Sequence, residues 1–343
     1  MHRIRLFEDL NAVGLKLEKH IDWIIETQMV GAIALGVDGK IETEPAAIER
    51  KRNDNPSSIV VVRGGGAGDL LFLTPGLRAL REKFPNAHIC VASRAWHHWI
   101  LSDFRAIDSQ SDLPQTAHFL DRFDWIIAME DTIEYCHDQH AIDIFAEKMG
   151  VKVADHRTVY KPILAPAEFE KECPKTKKRV GLQYAASTPV RTYPRMMELY
   201  RALQEKGWEV AILTAPGYFT LKTPMPDLIA IGDFKWSWSK ATDFLQTCDF
   251  VIGPDSSMIH FASAMGIPGI GLYGSFDAKM RLTEGGSIEA IQATRECQLA
   301  PCFYHNGLGQ LPPNGPCATA RICTTLATIS PDEIIAKMAS MNF

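Results

Sequence analysis

The sequence predicts an α/β protein of two similar-sized halves, and three observations carry that expectation. Short apolar runs alternate with helix-length amphipathic segments along most of the chain, the pattern of parallel strands covered by helices. The alternation begins at Ser58, is interrupted by the Pro- and Lys-rich stretch Lys161–Lys178, and restarts at Arg179. Length agrees: 343 residues, at roughly 150 per domain, suffice for two cores with chain left over.

Taken in order, residues 1–56 precede the first core strand and match neither half. A helix is expected around Leu10–Thr27, followed by a hydrophobic piece and the polar run Glu49–Asn55. Ser58–Val62 (SIVVV) is a continuous β-branched run of the kind buried on both faces. A glycine cluster follows it, and then a helix over Pro75–Lys83, for which Thr74 and Pro75 supply a cap and a first position. His88–Val91 and Trp125–Ala128 read as further strands.

The second half reads as strand Arg179–Gln183, helix Pro194–Lys206 and strands Glu209–Leu213 and Leu228–Ile231. Helix Ser239–Thr247, strand Phe250–Ile252, helix Ser257–Met265 and strand Gly269–Leu272 complete it. A terminal helix opens at Ser330-Pro331-Asp332-Glu333, with serine at the N-cap, proline at the first helical position and glutamate at the third. The expected domains are therefore 1–56, an extension, then 57–165 and 166–343.

Composition narrows the function. Hydrophobic residues at 46% and charged residues at 22% are globular values and exclude a disordered or fibrous chain. The net charge of −5 lacks the basic excess of a protein that grips phosphate backbones, so nucleic acid is not an expected partner. No apolar stretch reaches the roughly 20 residues of a membrane span, and the charged amino terminus has no signal-peptide core, so a cytoplasmic location is expected. The eight cysteines are too sparse for a disulfide scaffold.

Three segments have the residue types of a phosphate-handling site. Arg63-Gly-Gly-Gly66-Ala-Gly68-Asp69 lies at a strand's carboxyl end, where glycine lets backbone N–H groups approach a ligand closely. It fits neither the dinucleotide fingerprint nor a Walker loop. Asp69 reads either as a cap for the next turn or as a catalytic carboxylate. Phe250–His260 runs strand, tight turn, helix, so the N–H groups of Ser256, Ser257 and Met258 at the helix start can face an anion, with His260 one turn on. Asp255 there admits the plainer reading of a helix cap, and His260 that of a core histidine. Arg191, just after a strand, is either a phosphate clamp or a surface arginine. Cys136, His137 and His140 have spacing open to a metal, but Cys136 and His140 also simply share a helix face.

In order and spacing, the stretches beginning VVRGGGAGD, VGLQYAASTPVRTYP and LQTCDFVIGPDSSMIH resemble the bacterial ADP-heptose heptosyltransferases, glycosyltransferase family 9. The resemblance covers about 58–343 and implies two facing Rossmann-like domains of GT-B type, the first on the acceptor side and the second on the donor side. It implies Asp69 as the base, with Arg191, where lysine is usual, on the donor diphosphate. Gly66, Gly68, Asp255, Ser256, Ser257 and His260 join the donor set, Ser257 replacing the usual glycine. The implied reaction is an inverting displacement of a nucleoside diphosphate, ADP-heptose being the favoured donor, onto a hydroxyl of a saccharide, lipid-linked or protein acceptor. With no Asp-x-Asp pair in the chain, no metal cofactor is expected for transfer. Residues 1–56 are an addition to the family pattern, open to an acceptor, another subunit or no partner, and the protein as a whole is open to a peripheral place at the inner membrane. Two rival readings keep the same fold: another nucleotide-sugar enzyme such as an epimerase, and a non-catalytic binding or scaffold protein.

Cys297, Cys302, Cys317 and Cys323 crowd a Gly- and Pro-rich loop. Their spacing admits a structural zinc or iron, disulfides, or plain packing as small apolar side chains. The resemblance adds that paired cysteines recur here in relatives and that one subgroup is thought to bind iron through them.

Overall fold

The computed structural model describes residues 1–6, 10–12, 15–19, 21–25, 33, 41–45, 48–133, 138–186, 189–213, 229–231, 236–293, 297, 300–302 and 323–341. The chain forms two units, Met1–Cys136 with Ile142–Asp155, and His137–Ala141 with His156–Phe343.

In the first unit the described elements of the leading segment are strands, divided among three sheets. Strands β1 (His2–Leu6), β2 (Leu10–Ala12), β3 (Leu15–Leu17), β4 (Asp22–Ile25), β5 (Ile41–Pro45) and β6 (Arg50–Lys51) occupy that segment, and the helix expected over Leu10–Thr27 is not formed. Leu10 and Leu17 stand seven residues apart, a spacing that suits one helix face, yet they are cross-strand partners in the β2–β3 hairpin. Both are buried with Ile4, Leu6 and Ile25. Successive residues of β4 point to opposite faces, Ile25 into this cluster and Ile24 into the neighbouring α/β core with Val60, Val62 and Cys90. A strand buried on both faces leaves no polar alternation to betray it.

The α/β sheet of this unit uses β7 (Ser58–Val62), β8 (His88–Arg94), β9 (Ser109–Leu113) and β11 (Trp125–Ala128) in the order β6-β11-β7-β8-β9. These four run parallel, while β6 closes one edge antiparallel to β11. The short β10 (Gln115–Thr116) instead joins the sheet of β1 and β5, beside β4. Helix α1 (Ala67–Lys83) starts at Ala67 rather than at Pro75. Gly66 is its N-cap, and Asp69 at the third helical position accepts the Gly66 N–H at 2.8 Å, so Asp69 does cap the helix. Pro75 sits inside α1, where it cannot donate to the Leu71 carbonyl four residues back. The Thr74 hydroxyl donates to that carbonyl instead, at 2.7 Å. Short α2 (Ala117–Leu120) and α3 (Ala141–Lys148) complete the unit's helices among the described residues.

The second unit holds β12 (Arg179–Gln183), β13 (Glu209–Leu213), β14 (Ile229–Ile231), β15 (Phe250–Pro254), β16 (Gly269–Tyr273) and β17 (Ile288–Gln292). All pair in parallel in the order β14-β13-β12-β15-β16-β17. The helices described in it are α4 (Met196–Glu205), α5 (Trp238–Asp243), α6 (Ser257–Ala264), α7 (Thr324–Ala327) and α8 (Pro331–Ser340). The helix expected to run to Thr247 changes after Asp243 into the tighter turn Phe244–Thr247. At α8 the expected start holds, Ser330 Oγ accepting the Glu333 N–H at 3.0 Å. Val180, Leu182, Ile252, Leu199, Leu203, Ile334 and Met338 form the core between this sheet and the helices α4 and α8. No helix of the described residues is long and apolar enough to cross a membrane.

Candidate functional site

Each parallel sheet reverses its strand order beside its first strand, and open α/β sheets bind ligands outside the carboxyl ends of the strands at such a point. In the first unit the reversal lies between β7 and β11. Arg63 leaves the end of β7 and is 2% exposed. Its Nη1 donates to the Met129 carbonyl just past β11 at 2.6 Å, and its Nη2 donates to Asp69 Oδ2 at 2.8 Å. The guanidinium also lies 5.4 Å from the centre of the Phe145 ring. Asp69 is thus fixed by a buried cation, a backbone N–H and the first turn of α1, whose dipole favours a carboxylate. Gly65 has no substitute here, since a Cβ on it would stand 2.0 Å from Asp69 Oδ2 and 2.5 Å from Arg63 Nε. Gly68 lies in the first turn of α1.

His97, on the turn Ala95–Leu101 after β8, feels the Asp69 charge. Burial lowers its pKa, Arg94 and His98 lower it further, and Asp69 opposes them, leaving it at about 4. The imidazole is therefore neutral near pH 7, and its Nδ1 is buried with no hydrogen-bond partner among the described residues.

In the second unit the reversal lies between β12 and β15, and Arg191, Asp255, Ser256, Ser257 and His260 lie there, whereas Gly66 and Gly68 of the expected donor set belong to the first unit. Arg191 closes the turn Pro189–Arg191 that follows β12. Its Nη1 donates to the Asp255 carbonyl at 3.2 Å and lies 3.7 Å from Asp255 Oδ2. His260 Nε2 lies 3.3 Å from Asp255 Oδ1. Ser256, not Asp255, is the N-cap of the helix that follows, and the Asp255 carboxylate is turned to Arg191 and His260, so the plainer reading of Asp255 as a cap is not the one met. Burial alone would raise the Asp255 pKa, but the His260 hydrogen bond and the charges of Arg191, His260 and Arg281 outweigh it and hold the carboxyl well below its usual range. Ser256 is the extended N-cap of α6, makes no side-chain cap bond, and leads into Ser257 as the first helical residue. The N–H groups of that first turn point out of the helix with no partner within it.

Two residues absent from the sequence motifs join this cluster. Tyr273 at the end of β16 is fully buried, its ring folded back over Gly271, where a Cβ would lie 2.6 Å from Tyr273 Cε2. Its phenol has no hydrogen-bond partner among the described residues, and burial, with Asp255 adding, pushes its pKa far up. Arg281, 6% exposed, is the other. Neither stands in a motif, although Tyr273 could have been suspected as a phenol at the end of a buried strand. Arg63 carried a weak signal as the residue directly after β7.

Cys323 is buried against the core at the N-cap of α7, its Sγ 3.0 Å from where a Cβ of Gly274 would stand. Cys297 and Cys302 are partly buried, and Cys317 lies outside the described residues. Among the described residues no three His, Cys, Asp or Glu side chains gather around a common point. Cys136 and His137 also lie outside the described residues, and His140 is stacked on His156 with ring centres 4.0 Å apart.

The sequence profile of Glycosyltransferase family 9 (heptosyltransferase) matches residues 128–305. The chain belongs to glycosyltransferase family 9. It is accordingly a glycosyltransferase with the α/β, GT-B-type Rossmann-like architecture of that family. No curated protein matches it. Among solved structures it is similar to the glycosyl transferase family 9 of Veillonella parvula DSM 2008, at 13% identity and TM-score 0.61, covering 87% of this chain and 98% of that one. It is similar to the E. coli ADP-heptose lps heptosyltransferase II, at 13% identity and TM-score 0.58, with 82% and 98% covered. The iron-containing dodecameric glycosyltransferase TibC of enterotoxigenic E. coli H10407 is similar at 14% identity and TM-score 0.62, with 87% and 77% covered.

Proposed function

We propose that this family 9 enzyme transfers a heptose or related sugar from a nucleoside-diphosphate donor, ADP-heptose in the first instance, to an acceptor hydroxyl by inverting displacement. The observation that carries the reading is the cluster at the second unit's strand reversal, Arg191 and His260 on Asp255 beside the open first turn of α6. An anion with several oxygens is the ligand such a set of donors fits, and a leaving diphosphate gains charge as the glycosidic bond breaks.

In the proposed step an acceptor oxygen bonds to the anomeric carbon as the bond to the β-phosphate oxygen breaks. The electron pair of that bond leaves with the diphosphate, onto Arg191 and the α6 N–H groups. The hydroxyl proton passes to Asp69. Arg63 orients Asp69 for that transfer. No group in this step requires a bound metal, and transfer is expected to persist in a chelator. The acceptor class is a saccharide, lipid-linked or protein hydroxyl, and the expected setting is the cytoplasm or the inner face of its membrane.

The test is calorimetric binding of ADP, UDP and GDP, then turnover with the matching heptose or hexose donor, followed by nucleoside-diphosphate release with and without added acceptor. ADP binding with acceptor-dependent release supports the reading. Release without acceptor favours an epimerase-type enzyme, and no nucleotide binding at all favours a non-catalytic protein.

A further inference from the structure

The second unit contains two buried arginines whose surroundings differ sharply. Arg179, fully buried, is satisfied on every side. It donates to Glu209, to Thr247 Oγ1 at 2.8 Å, and to the Cys173 and Pro174 carbonyls at 3.0 and 3.1 Å. Arg281, 6% exposed, has among the described residues one side-chain hydrogen bond, from Nη1 to the adjacent Met280 carbonyl at 3.5 Å. A guanidinium carries five N–H donors, so most of those of Arg281 are left for solvent or a ligand.

The fold holds Arg281 in place firmly. It follows the turn Ala278–Met280, whose cap Asp277 accepts the Lys279 N–H at 2.9 Å. Gln292 of β17 ties this loop on both sides, accepting from the Ala278 N–H at 2.9 Å and donating to the Phe276 carbonyl at 3.0 Å. The guanidinium lies 4.9 Å from the centre of the Phe276 ring. Parallel register sets Pro254 beside Leu272, so Asp255 and Tyr273 leave adjacent strand ends. Tyr273 and Phe276 pack in one buried cluster, so the guanidinium held over Phe276 stands near these strand ends, where its charge, with that of Arg191, favours an ionised Asp255. Arg191 is paired with that carboxylate, whereas Arg281 makes no ion pair with it among the described residues, and the Tyr273 phenol has no hydrogen-bond partner among them. The cluster has a buried positive charge and a polar group left over, and both are met by an anion rich in acceptor oxygens.

We infer that Arg281 is a second cation of the donor site, binding the diphosphate opposite Arg191. This rests on the proposed donor class and adds a specific residue to it. A second guanidinium gives the site two charges for two phosphates, so it distinguishes a nucleoside diphosphate from a monophosphate.

The experiment is calorimetry on the full chain with ADP, UDP, GDP and AMP, using wild type, Arg281→Met, Arg281→Lys and the exposed-site control Lys279→Gln. Methionine keeps an apolar stem over Phe276 while removing the charge. We expect Arg281→Met to weaken the bound diphosphate about 10- to 100-fold and the monophosphate much less, with Arg281→Lys recovering part and Lys279→Gln none of the effect. A second readout separates binding from scaffolding: without ligand, Arg281→Met melts no lower than wild type, because the lost charge had no full partner. A variant that binds the diphosphate within about twofold of wild type overturns the inference and leaves the donor class standing. So does Arg281→Met melting well below wild type with Arg281→Lys binding normally. If the wild type binds none of the nucleoside diphosphates, the proposed function fails, and the inference with it.

Discussion

Arg63 and Asp69 meet at 2.8 Å, the arginine side chain 2% and the aspartate 23% exposed. The pair lets one carboxylate hold a helix start and remain available for the proposed chemistry, because the cation and the Gly66 N–H fix it while it stays accessible. Asp69→Asn keeps this geometry and loses the base. Transfer should fall on the order of 100-fold or more with donor affinity retained. Turnover near wild type would remove Asp69 from the mechanism.

Gly65 tests the same pair from the backbone. A Cβ there must displace Asp69 Oδ2, 2.0 Å away, or Arg63. Gly65→Ala should depress transfer strongly while donor calorimetry, read on the other unit, changes little. Unchanged turnover would show that the carboxylate need not be held where it is.

Asp255 is the carboxylate on which the donor cluster is built. Asp255→Ala leaves buried positive groups unopposed and should cost about 3–5 kcal/mol of stability. Added pyrophosphate should return part of it, since a ligand at about a hundred times its dissociation constant stabilises by roughly 2.7 kcal/mol. Denaturant titrations with and without pyrophosphate measure both effects. A variant as stable as wild type would mean the cluster is not electrostatically coupled.

His97 sets a pH dependence. Its folded-state pKa, about 4, lies below the ordinary 6.5, so the unfolded chain takes up the proton first. Stability is full above pH 6.5 and declines as pH falls from there toward 4, by up to about 1.4 kcal/mol per pH unit. His97→Gln should flatten that interval in urea midpoints measured from pH 7 to 4. A slope identical to wild type would assign the acid sensitivity to other groups.

Thr74 carries a purely structural prediction. Its hydroxyl satisfies the carbonyl that Pro75 leaves open. Thr74→Val should destabilise by about 1–3 kcal/mol, read as a lower denaturant midpoint with transfer per folded molecule unchanged.

The readable parts of the sequence were those where one physical rule acts alone. SIVVV is buried on both faces in a parallel sheet, and the Ser330 cap is a local hydrogen bond, so both stand where expected. Arg191, Asp255 and His260 were legible because strand-end turns bring motif residues together. The start of α1 was misplaced because Thr74-Pro75 imitates a helix start, while the actual start uses Gly66 and Asp69. The leading segment was misread because Leu10 and Leu17 satisfy helix spacing and hairpin register equally. Arg281 gives no signal in the sequence, since its burial over Phe276 depends on how the loop after β16 folds back.

The two-residue strand β6 covers the outer edge of β11, and β10 lends its edge to β4. The leading segment is thereby sewn into the catalytic fold at two seams. An enzyme trimmed to begin at Ser58 would bare the backbone of Trp125 and Ile126 along an open, apolar margin. Such a margin invites strand-to-strand aggregation. Arg50 and Lys51, short and cationic, act as a selvedge that keeps the sheet from recruiting another.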